Sequence, residues 1–203
     1  MPKIDDGVVK YSLKFEKKKI QNEALCFKIE NIRRRLYAMQ LIGAYTNGIG
    51  YGNISHRDKE TDSFYITGTQ TGELADLEIK DYSFVKSVDF QTFKTVASGL
   101  SQPSSESITH AAIYALDPDI NAVIHIHNER LWNFMLENDY LSTNDTPYGT
   151  PEMIEDIQTM YKKLTPLKNN AFVMAGHFEG IVTFGRTLDE AQIALYKLVG
   201  KCL

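Results

Sequence analysis

Hydrophobic side chains recur at steps of three and four residues in the segment that follows Ile20. This spacing places one apolar stripe along a helix. The stripe consists of Leu25, Ile29, Ile32, Leu36 and Met39. The consecutive arginines Arg33, Arg34 and Arg35 are expected mostly to face water. The helix is predicted to end before the segment TNGIGYGNIS, because its glycines disfavour any regular element.

A different pattern, short runs rich in β-branched and aromatic residues, marks the predicted strands. The runs are SFYIT from residue 63, YSFVKSV from residue 82, TFKTVAS from residue 92, NAVIHIH from residue 121, AFVMA from residue 171 and GIVTF from residue 180. Helices are predicted between them: one capped by Ser104 or Ser105, one from about Asn128 and one capped by Thr150. The last helix opens with Thr187 and Glu190 at the spacing of a capping box.

The order of these elements predicts the fold class. Strands cluster and helices are segregated, without the strict alternation of a parallel α/β fold, which favours an α/β protein with a central, mainly antiparallel sheet covered by helices. With 203 residues, of which 43% are hydrophobic and 24% charged, the chain can bury a substantial core. We predict a polar, flexible N-terminal arm or frayed helix start at residues 1–19 and one globular domain at residues 20–203.

Charge and composition exclude several classes of function. A net charge of −4 and a pI near 5.7 give no basic footprint for nucleic acid. The sequence has no apolar run long enough for a membrane span and no signal-peptide pattern at its start, so we expect no membrane partner and a cytoplasmic location. Cys26 and Cys202 lack metal-ligand spacing and are expected to remain thiols.

The segment NAVIHIHNERLW contains the first candidate chemistry. Alternate side chains of a strand share a face, so His125 and His127 point the same way. Two imidazoles on one face can be half of a zinc site, which needs a third ligand, although alternating strand residues that simply pack explain the pattern equally well. His177, at a strand end, can supply that ligand. His110 is expected to be a core or interface histidine, and His56 a loop histidine.

Glu106 and three hydroxyl- and glycine-rich segments are the other candidates. A glutamate in the first turn of a helix can simply be stabilised by the helix dipole. It can also be a carboxylate beside the metal that acts as a general base. The segments GYGNIS, TGTQTG and PSSE can turn backbone N–H groups toward an anion, or they can be ordinary turns. None of them has the spacing of a Walker or a Rossmann phosphate loop.

Taken together and in order, these segments resemble the class II aldolase/adducin family. The resemblance rests on GNIS, TGTQTG, PSSESITHAAIY, DPDINAVIHIH, YGTPEM and AFVMAGH with the later GIVTFG and LDEA, and it spans about Leu25 to Leu198. It implies a three-layer α/β/α fold of the class II aldolase type. It also implies one Zn²⁺, or another divalent metal, for each chain.

The resemblance carries roles to individual positions. His125, His127 and His177 match the zinc ligands, and Glu106 matches the glutamate that ligates resting zinc in the aldolases and then moves protons. The positions that match the cradle of the substrate phosphate are Gly52, Asn53, Thr71, Gly72, Ser104 and Ser105. Thr69 is a second candidate beside Thr71. Family epimerases carry aspartate at the position of Glu106, which favours an aldolase.

The implied function is a zinc-dependent aldolase that acts on a small phosphorylated sugar through a metal-stabilised enediolate. The implied assembly is a homotetramer, because family sites lie between subunits. One alternative is a dehydratase or an epimerase on the same scaffold. The other is a non-catalytic interaction module like the adducin head, but the three retained histidines argue against it.

Two departures from the family pattern affect the site. Phe178 follows His177 where family members commonly have glycine, and the C-terminal catalytic tyrosine of the family's aldolases cannot be carried over to a residue of this sequence. Tyr148 can contribute a hydroxyl group from a neighbouring subunit or be a plain loop residue. Glu129 can be an additional acid/base or a helix-start glutamate.

Overall fold

The computed structural model describes residues 9–58, 62–162 and 170–202. They form a central eight-stranded sheet, a two-stranded hairpin and flanking helices. The strands of the sheet are β1 (Ser12–Lys17), β4 (Asn53–Arg57), β5 (Phe64–Thr67), β6 (Tyr82–Asp89), β7 (Lys94–Gly99), β8 (Ala122–His127), β9 (Ala171–Val173) and β10 (Gly180–Gly185), and the hairpin consists of β2 (Gly43–Ala44) and β3 (Gly50–Tyr51). The helices are α1 (Glu23–Ala38), α2 (Ser107–Tyr114), α3 (Glu129–Glu137), α4 (Pro151–Lys162) and α5 (Leu188–Cys202), with a short 3-10 helix at Ile79–Asp81.

The sheet is mainly antiparallel, as predicted. Its strand order is β1-β7-β6-β5-β4-β8-β10-β9, and within it only the pairing of β1 with β7 is parallel among the described strands. Strand β8 lies between β4 and β10, in the interior of the sheet. A strand in this position has neighbours on both edges and cannot shift its register without breaking both ladders.

Helices cover both faces of the sheet, which confirms the predicted α/β fold. One face packs against α1, α3 and α5 through a cluster that includes Ile29, Met135 and Leu195. The other packs against α2 and α4 through a second cluster that includes Ile108 and Ile157. Strand β8 divides its side chains between them, with Ala122, Ile124 and Ile126 in the first cluster and Val123 in the second.

Several helix boundaries agree with the capping signals in the sequence. The Asn128 side chain accepts a hydrogen bond from the Leu131 N–H at the start of α3, and the Thr187 hydroxyl accepts one from the Glu190 N–H at α5. The Glu190 carboxylate does not complete the predicted capping box, because it binds the backbone N–H and guanidinium of Arg186. Among the described helices, none combines the length and apolarity that crossing a bilayer requires.

Two strands differ from the sequence prediction. Residues 12–17, predicted as part of an arm or frayed helix start, form β1, because Leu13 and Phe15 alternate with polar residues and pack partly buried against the second cluster. Strand β4 begins within the glycine-rich stretch that was predicted to lack regular structure. The prediction of a loop for His56 was wrong, since His56 lies in β4. Its pairing with β5 and β8 outweighs the weak local signal.

Candidate metal centre

His125 and His127 project from the end of β8 on the same face of the sheet. The register pairs His125 with Asn53 of β4 and Val182 of β10, and it pairs His127 with Gly180. Both side chains are buried, at 2% and 3% exposure. The strand thus presents two imidazoles side by side, as the alternation of the sequence predicts.

His177 reaches the same point from the connection between β9 and β10. The His177 N–H donates to the Met174 carbonyl at 3.1 Å, and the Gly180 N–H donates to the His177 carbonyl at 2.8 Å, which closes a tight turn. A Cβ atom at Gly180 would lie 2.5 Å from Cδ2 of His177, so only glycine leaves room for this ring. The turn fixes the third imidazole against the strand.

The three rings surround a common point. Their centroids are 4.9 Å apart for His125 and His127, 5.2 Å for His125 and His177, and 4.7 Å for His127 and His177. One nitrogen of each ring lies within 4.8 Å of the others, which is the arrangement that a tetrahedral metal with three protein ligands requires. The buried His125, His127 and His177 could therefore hold a divalent metal.

Burial keeps two of these histidines neutral. Desolvation, followed by the proximity of the other histidines, lowers the pKa of His125 well below its ordinary value, and burial with the neighbouring His127 does the same for the pKa of His177. A neutral imidazole is the form that binds a metal. Within the described part of the chain, Nε2 of His125 is buried without a hydrogen-bond partner, which a metal would provide.

Glu106 lies against this triad. It is 4% exposed and occupies the N-cap position of α2, but its side chain makes no capping hydrogen bond. One carboxylate oxygen lies 3.3 Å from Nε2 of His177 and 4.0 Å from Nδ1 of His125. The backbone N–H of Glu106 donates to the Ser104 hydroxyl, so the predicted serine contributes to the helix start. The geometry favours the metal-side interpretation of Glu106 over simple capping.

One cavity brings together the three histidines, Glu106 and all positions that match the phosphate cradle. Its lining includes Gly52, Asn53, Thr71, Gly72, Ser104, Ser105, Glu106, His125, His127 and His177, with Thr69 and Gln70 in the same loop. Among the described residues that line it there is no lysine or arginine. An anion in this cavity would be held by amide and hydroxyl groups and by the N-terminus of α2.

Close backbone approach shapes the wall of the cavity around Gly72. A Cβ atom at Gly72 would lie 1.9 Å from the Gly43 carbonyl oxygen, so the loop at residues 68–72 packs directly on the β2-β3 hairpin. The Thr71 hydroxyl donates to the Gly68 carbonyl at 2.9 Å and stabilises this turn. Gly52, with φ +74°, adopts a backbone conformation that other residues rarely enter.

Sequence reasoning missed two residues next to the triad, Tyr45 and Glu179. The Tyr45 hydroxyl lies 2.8 Å from Nδ1 of His127 and donates to a carboxylate oxygen of Glu179, also at 2.8 Å. Phe178, in place of the glycine that is common in the family, was a signal of unusual geometry next to His177. Nothing in the sequence linked this segment to Tyr45, which is far away along the chain.

Glu179 occupies a strained backbone position. Its φ is 65°, in the left-handed region, where a residue other than glycine costs about 1 kcal/mol or more. His127, with Nδ1 at 3.8 Å, and the Tyr45 hydroxyl lower the pKa of the Glu179 carboxyl below its ordinary value, although partial burial raises it. The carboxylate is therefore the preferred form of this side chain.

Other residues considered from the sequence lie outside the triad. The Tyr148 ring is buried and packs 4.7 Å from the His177 ring of the same chain, and the Lys10 ammonium lies 3.9 Å from its centroid. Glu129 is exposed in the first turn of α3, as a helix-start glutamate would be. His110 is buried within α2 and lies outside the group of three potential ligands.

Comparison with protein families gives one match over most of the chain. The model described as "Class II Aldolase and Adducin N-terminal domain" matches residues 36–202. Two curated methylthioribulose-1-phosphate dehydratases from strains of Leptospira biflexa serovar Patoc are 40% identical over 80 residues, which is 37% of this chain. The matched stretch spans only 35% of the length of those relatives.

Solved structures share the fold at low sequence identity. An L-fuculose 1-phosphate aldolase aligns with a TM-score of 0.68 and 20% identity, covering 91% of this chain and 85% of that chain. A sugar-phosphate aldolase from Thermotoga maritima aligns with a TM-score of 0.65 and 16% identity, covering 88% and 92%. At these identities the likeness confirms the predicted fold of the class II aldolase type and transfers no activity.

Proposed function

The chain belongs to the class II aldolase and adducin N-terminal domain family, and from this premise we propose that it is a zinc-dependent aldolase of a small phosphorylated sugar. The observation that carries the proposal is the position of Glu106. A buried carboxylate whose oxygen lies 3.3 Å from one histidine of a buried triad is placed to move a proton beside a metal-bound substrate.

The cavity supports a phosphorylated substrate. Ser104, Ser105, Asn53 and the loop that contains Thr71 and Gly72 line one side of it, and the triad with Glu106 lines the other. We assign the phosphate to the first side, where N–H and hydroxyl groups can surround its oxygen atoms. Binding energy from the phosphate would orient the reacting carbons beside Glu106.

The proton chemistry then falls to Glu106. A divalent metal on the three histidines would supply Lewis-acid polarisation of the substrate oxygen atoms. In aldol cleavage a proton leaves the hydroxyl group next to the breaking carbon–carbon bond, and a proton is delivered to the carbon that remains part of the ketone. We assign this second exchange to Glu106, because its carboxylate lies beside the histidines that would hold the metal.

A dehydratase is the second candidate, and a specific observation favours it. The stretch at 40% identity comes from proteins named methylthioribulose-1-phosphate dehydratase. Elimination of water from a sugar phosphate needs the same parts, namely a polarised carbonyl group and a base beside it. The two reactions differ in the bond that breaks: an aldolase breaks a carbon–carbon bond, and a dehydratase breaks a carbon–oxygen bond.

The test compares the two reactions in one purified, zinc-loaded protein. We expect condensation of dihydroxyacetone phosphate with one or more of a panel of aldehydes, followed by mass spectrometry of the product. Glu106→Gln should lower turnover about 100-fold or more while zinc binding persists, because the histidines remain. Glu129→Gln, which changes an exposed glutamate in α3, is the matched control and should retain activity.

The alternatives give different results in the same experiment. Loss of water from methylthioribulose 1-phosphate, without any condensation, would replace the aldolase assignment by the dehydratase. Metal analysis should find about one zinc for each chain and none in His125→Ala. A folded chain that binds no metal would instead support an interaction module of the adducin type.

The location and assembly belong to the same proposal. We propose a cytoplasmic homo-oligomer, a tetramer if it follows the expectation for the family, in which neighbouring subunits complete the open side of the cavity. Light scattering coupled to size-exclusion chromatography measures the mass of the assembly directly. A monomer with full aldolase activity would contradict the proposed assembly without affecting the metal site.

A further inference from the structure

Tyr45 and Glu179 form an outer layer behind His127. The phenolic oxygen of Tyr45 lies 2.8 Å from both Nδ1 of His127 and a carboxylate oxygen of Glu179. The Glu179 oxygen is 3.8 Å from Nδ1 of His127, beyond a hydrogen bond, so the tyrosine mediates between the two.

The direction of these hydrogen bonds sets the tautomer of His127. A carboxylate only accepts, so the Tyr45 O–H donates to Glu179. The oxygen of Tyr45 then accepts from His127, which requires the proton of the neutral ring to be on Nδ1. In this tautomer the lone pair is on Nε2, which would be the nitrogen that binds the metal.

The polypeptide chain holds both residues in place independently of any ligand. Tyr45 begins the turn between β2 and β3, where its N–H and carbonyl bond to Ile49 and Gly48, and its ring packs 4.6 Å from that of Tyr51. Glu179 has the left-handed φ described above, and its carbonyl accepts from the Asn128 N–H at 3.0 Å. The two side chains come from segments 134 residues apart in the sequence, so the pairing is a product of the tertiary fold.

We propose that Tyr45 and Glu179 are positioning residues that orient His127 for the metal and strengthen it as a ligand. The inference rests on the proposed metal centre. A partner on the second nitrogen fixes the orientation of a metal-binding histidine, and a carboxylate behind that partner increases the basicity of the ring. Losing such a partner lowers metal affinity by about 10- to 100-fold in metalloproteins.

The experiment measures metal affinity, not catalysis. Tyr45→Phe, Glu179→Gln and the double variant are titrated with Zn²⁺ against a chromophoric chelator, and Co²⁺ absorption spectra report the ligand geometry. We expect Tyr45→Phe to weaken Zn²⁺ binding about 10- to 100-fold and Glu179→Gln to weaken it less, since glutamine still accepts from the tyrosine. Tyr37→Phe, whose exposed hydroxyl donates to the Glu73 carbonyl, is the control and should bind like the wild type.

The double variant separates positioning from general stabilisation. Glu179 acts on His127 through Tyr45, so the double variant should bind Zn²⁺ no more weakly than Tyr45→Phe alone. Additive losses, or wild-type affinity in both single variants, would overturn the inference. Thermal unfolding of the metal-free proteins checks that the fold persists. If the wild type itself binds no metal, the proposed function fails, whereas tight wild-type binding with unaffected variants defeats this inference alone.

Discussion

His110 shows how burial alone sets the chemistry of a residue. It is fully buried in α2, its Nδ1 lies 2.7 Å from the Ser55 hydroxyl, and that hydroxyl also lies 2.6 Å from the Tyr114 hydroxyl. Burial lowers the pKa of His110 to about 3. The sequence placed it as a core or interface histidine, and the structure places it in the core.

The neutral state of His110 predicts a pH-dependent stability. The unfolded chain takes up a proton below the ordinary histidine pKa of about 6.5, whereas folded His110 does not until about pH 3, so stability is lost as the pH falls through this window. The loss is at most about 1.4 kcal/mol for each pH unit. His110→Phe should remove this contribution, measured as a shallower decline in urea-unfolding free energy of the metal-free protein between about pH 6 and 4. Parallel curves for the two proteins would contradict the assignment.

At the scale of elements, α1 holds the loop that carries part of the cavity. The sequence pattern placed Arg33 at the water-facing side, and this was wrong, because Arg33 is 1% exposed. Its guanidinium donates to the carbonyls of Thr71, Leu74 and Ala75 and lies 3.5 Å from the Glu30 carboxylate. Buried carbonyl groups need hydrogen-bond donors, and Arg33 supplies one to each of these three. The hydrophobic pattern of α1 gives no sign of this role.

Arg33 and its neighbour Arg34 offer a matched pair of substitutions. Arg33→Met leaves the buried Glu30 without its cation, and we expect a loss of about 3–5 kcal/mol in urea-unfolding free energy. Arg34→Met removes only an exposed ion pair with Asp76 and should change stability by no more than about 0.5 kcal/mol. Equal effects of the two substitutions would show that Arg33 does not support the loop.

The elements differ in how well the sequence predicted them. Helices α3 and α4 begin at the residues that Asn128 and Thr150 cap, because a capping hydrogen bond spans only three positions of the chain. Strand β4 was missed, because a short strand next to glycines gains its stability from β5 and β8 on either side. Periodicity cannot report a partner that is distant in the sequence.

At the scale of the whole molecule, the N-terminal segment completes the sheet. Strand β1 pairs in parallel with β7, and the Tyr11 hydroxyl donates to the Ser104 carbonyl next to the cavity. Lys14, Glu16 and Lys17 keep exposed charges on β1, which is an edge strand, and such charges discourage pairing with other chains. Residues 11–17 therefore contact the domain that was predicted to begin at residue 20, and the proposed boundary between an arm at residues 1–19 and a domain at residues 20–203 needs a direct test.

Removal of residues 1–19 tests that boundary. Without β1 the edge of β7 is open, and the apolar surface under Leu13 and Phe15 is exposed, so we expect a lower melting temperature and self-association in light scattering. A flexible arm would leave both measurements unchanged. The full-length chain at the same concentration is the reference for both.

The sequence alone determined those features that depend on residues close together in the chain. The alternation in β8 aims His125 and His127 at one face, capping residues start α3 and α4, and the order of segments supports the family and its α/β fold. The tertiary structure decided the rest: the return of His177 through a turn closed by Gly180, the burial of Arg33, and the contact of Tyr45 with Glu179. These features depend on segments that are distant in the sequence and pack together. Such contacts produce no periodic pattern in either segment, so the sequence alone does not predict them.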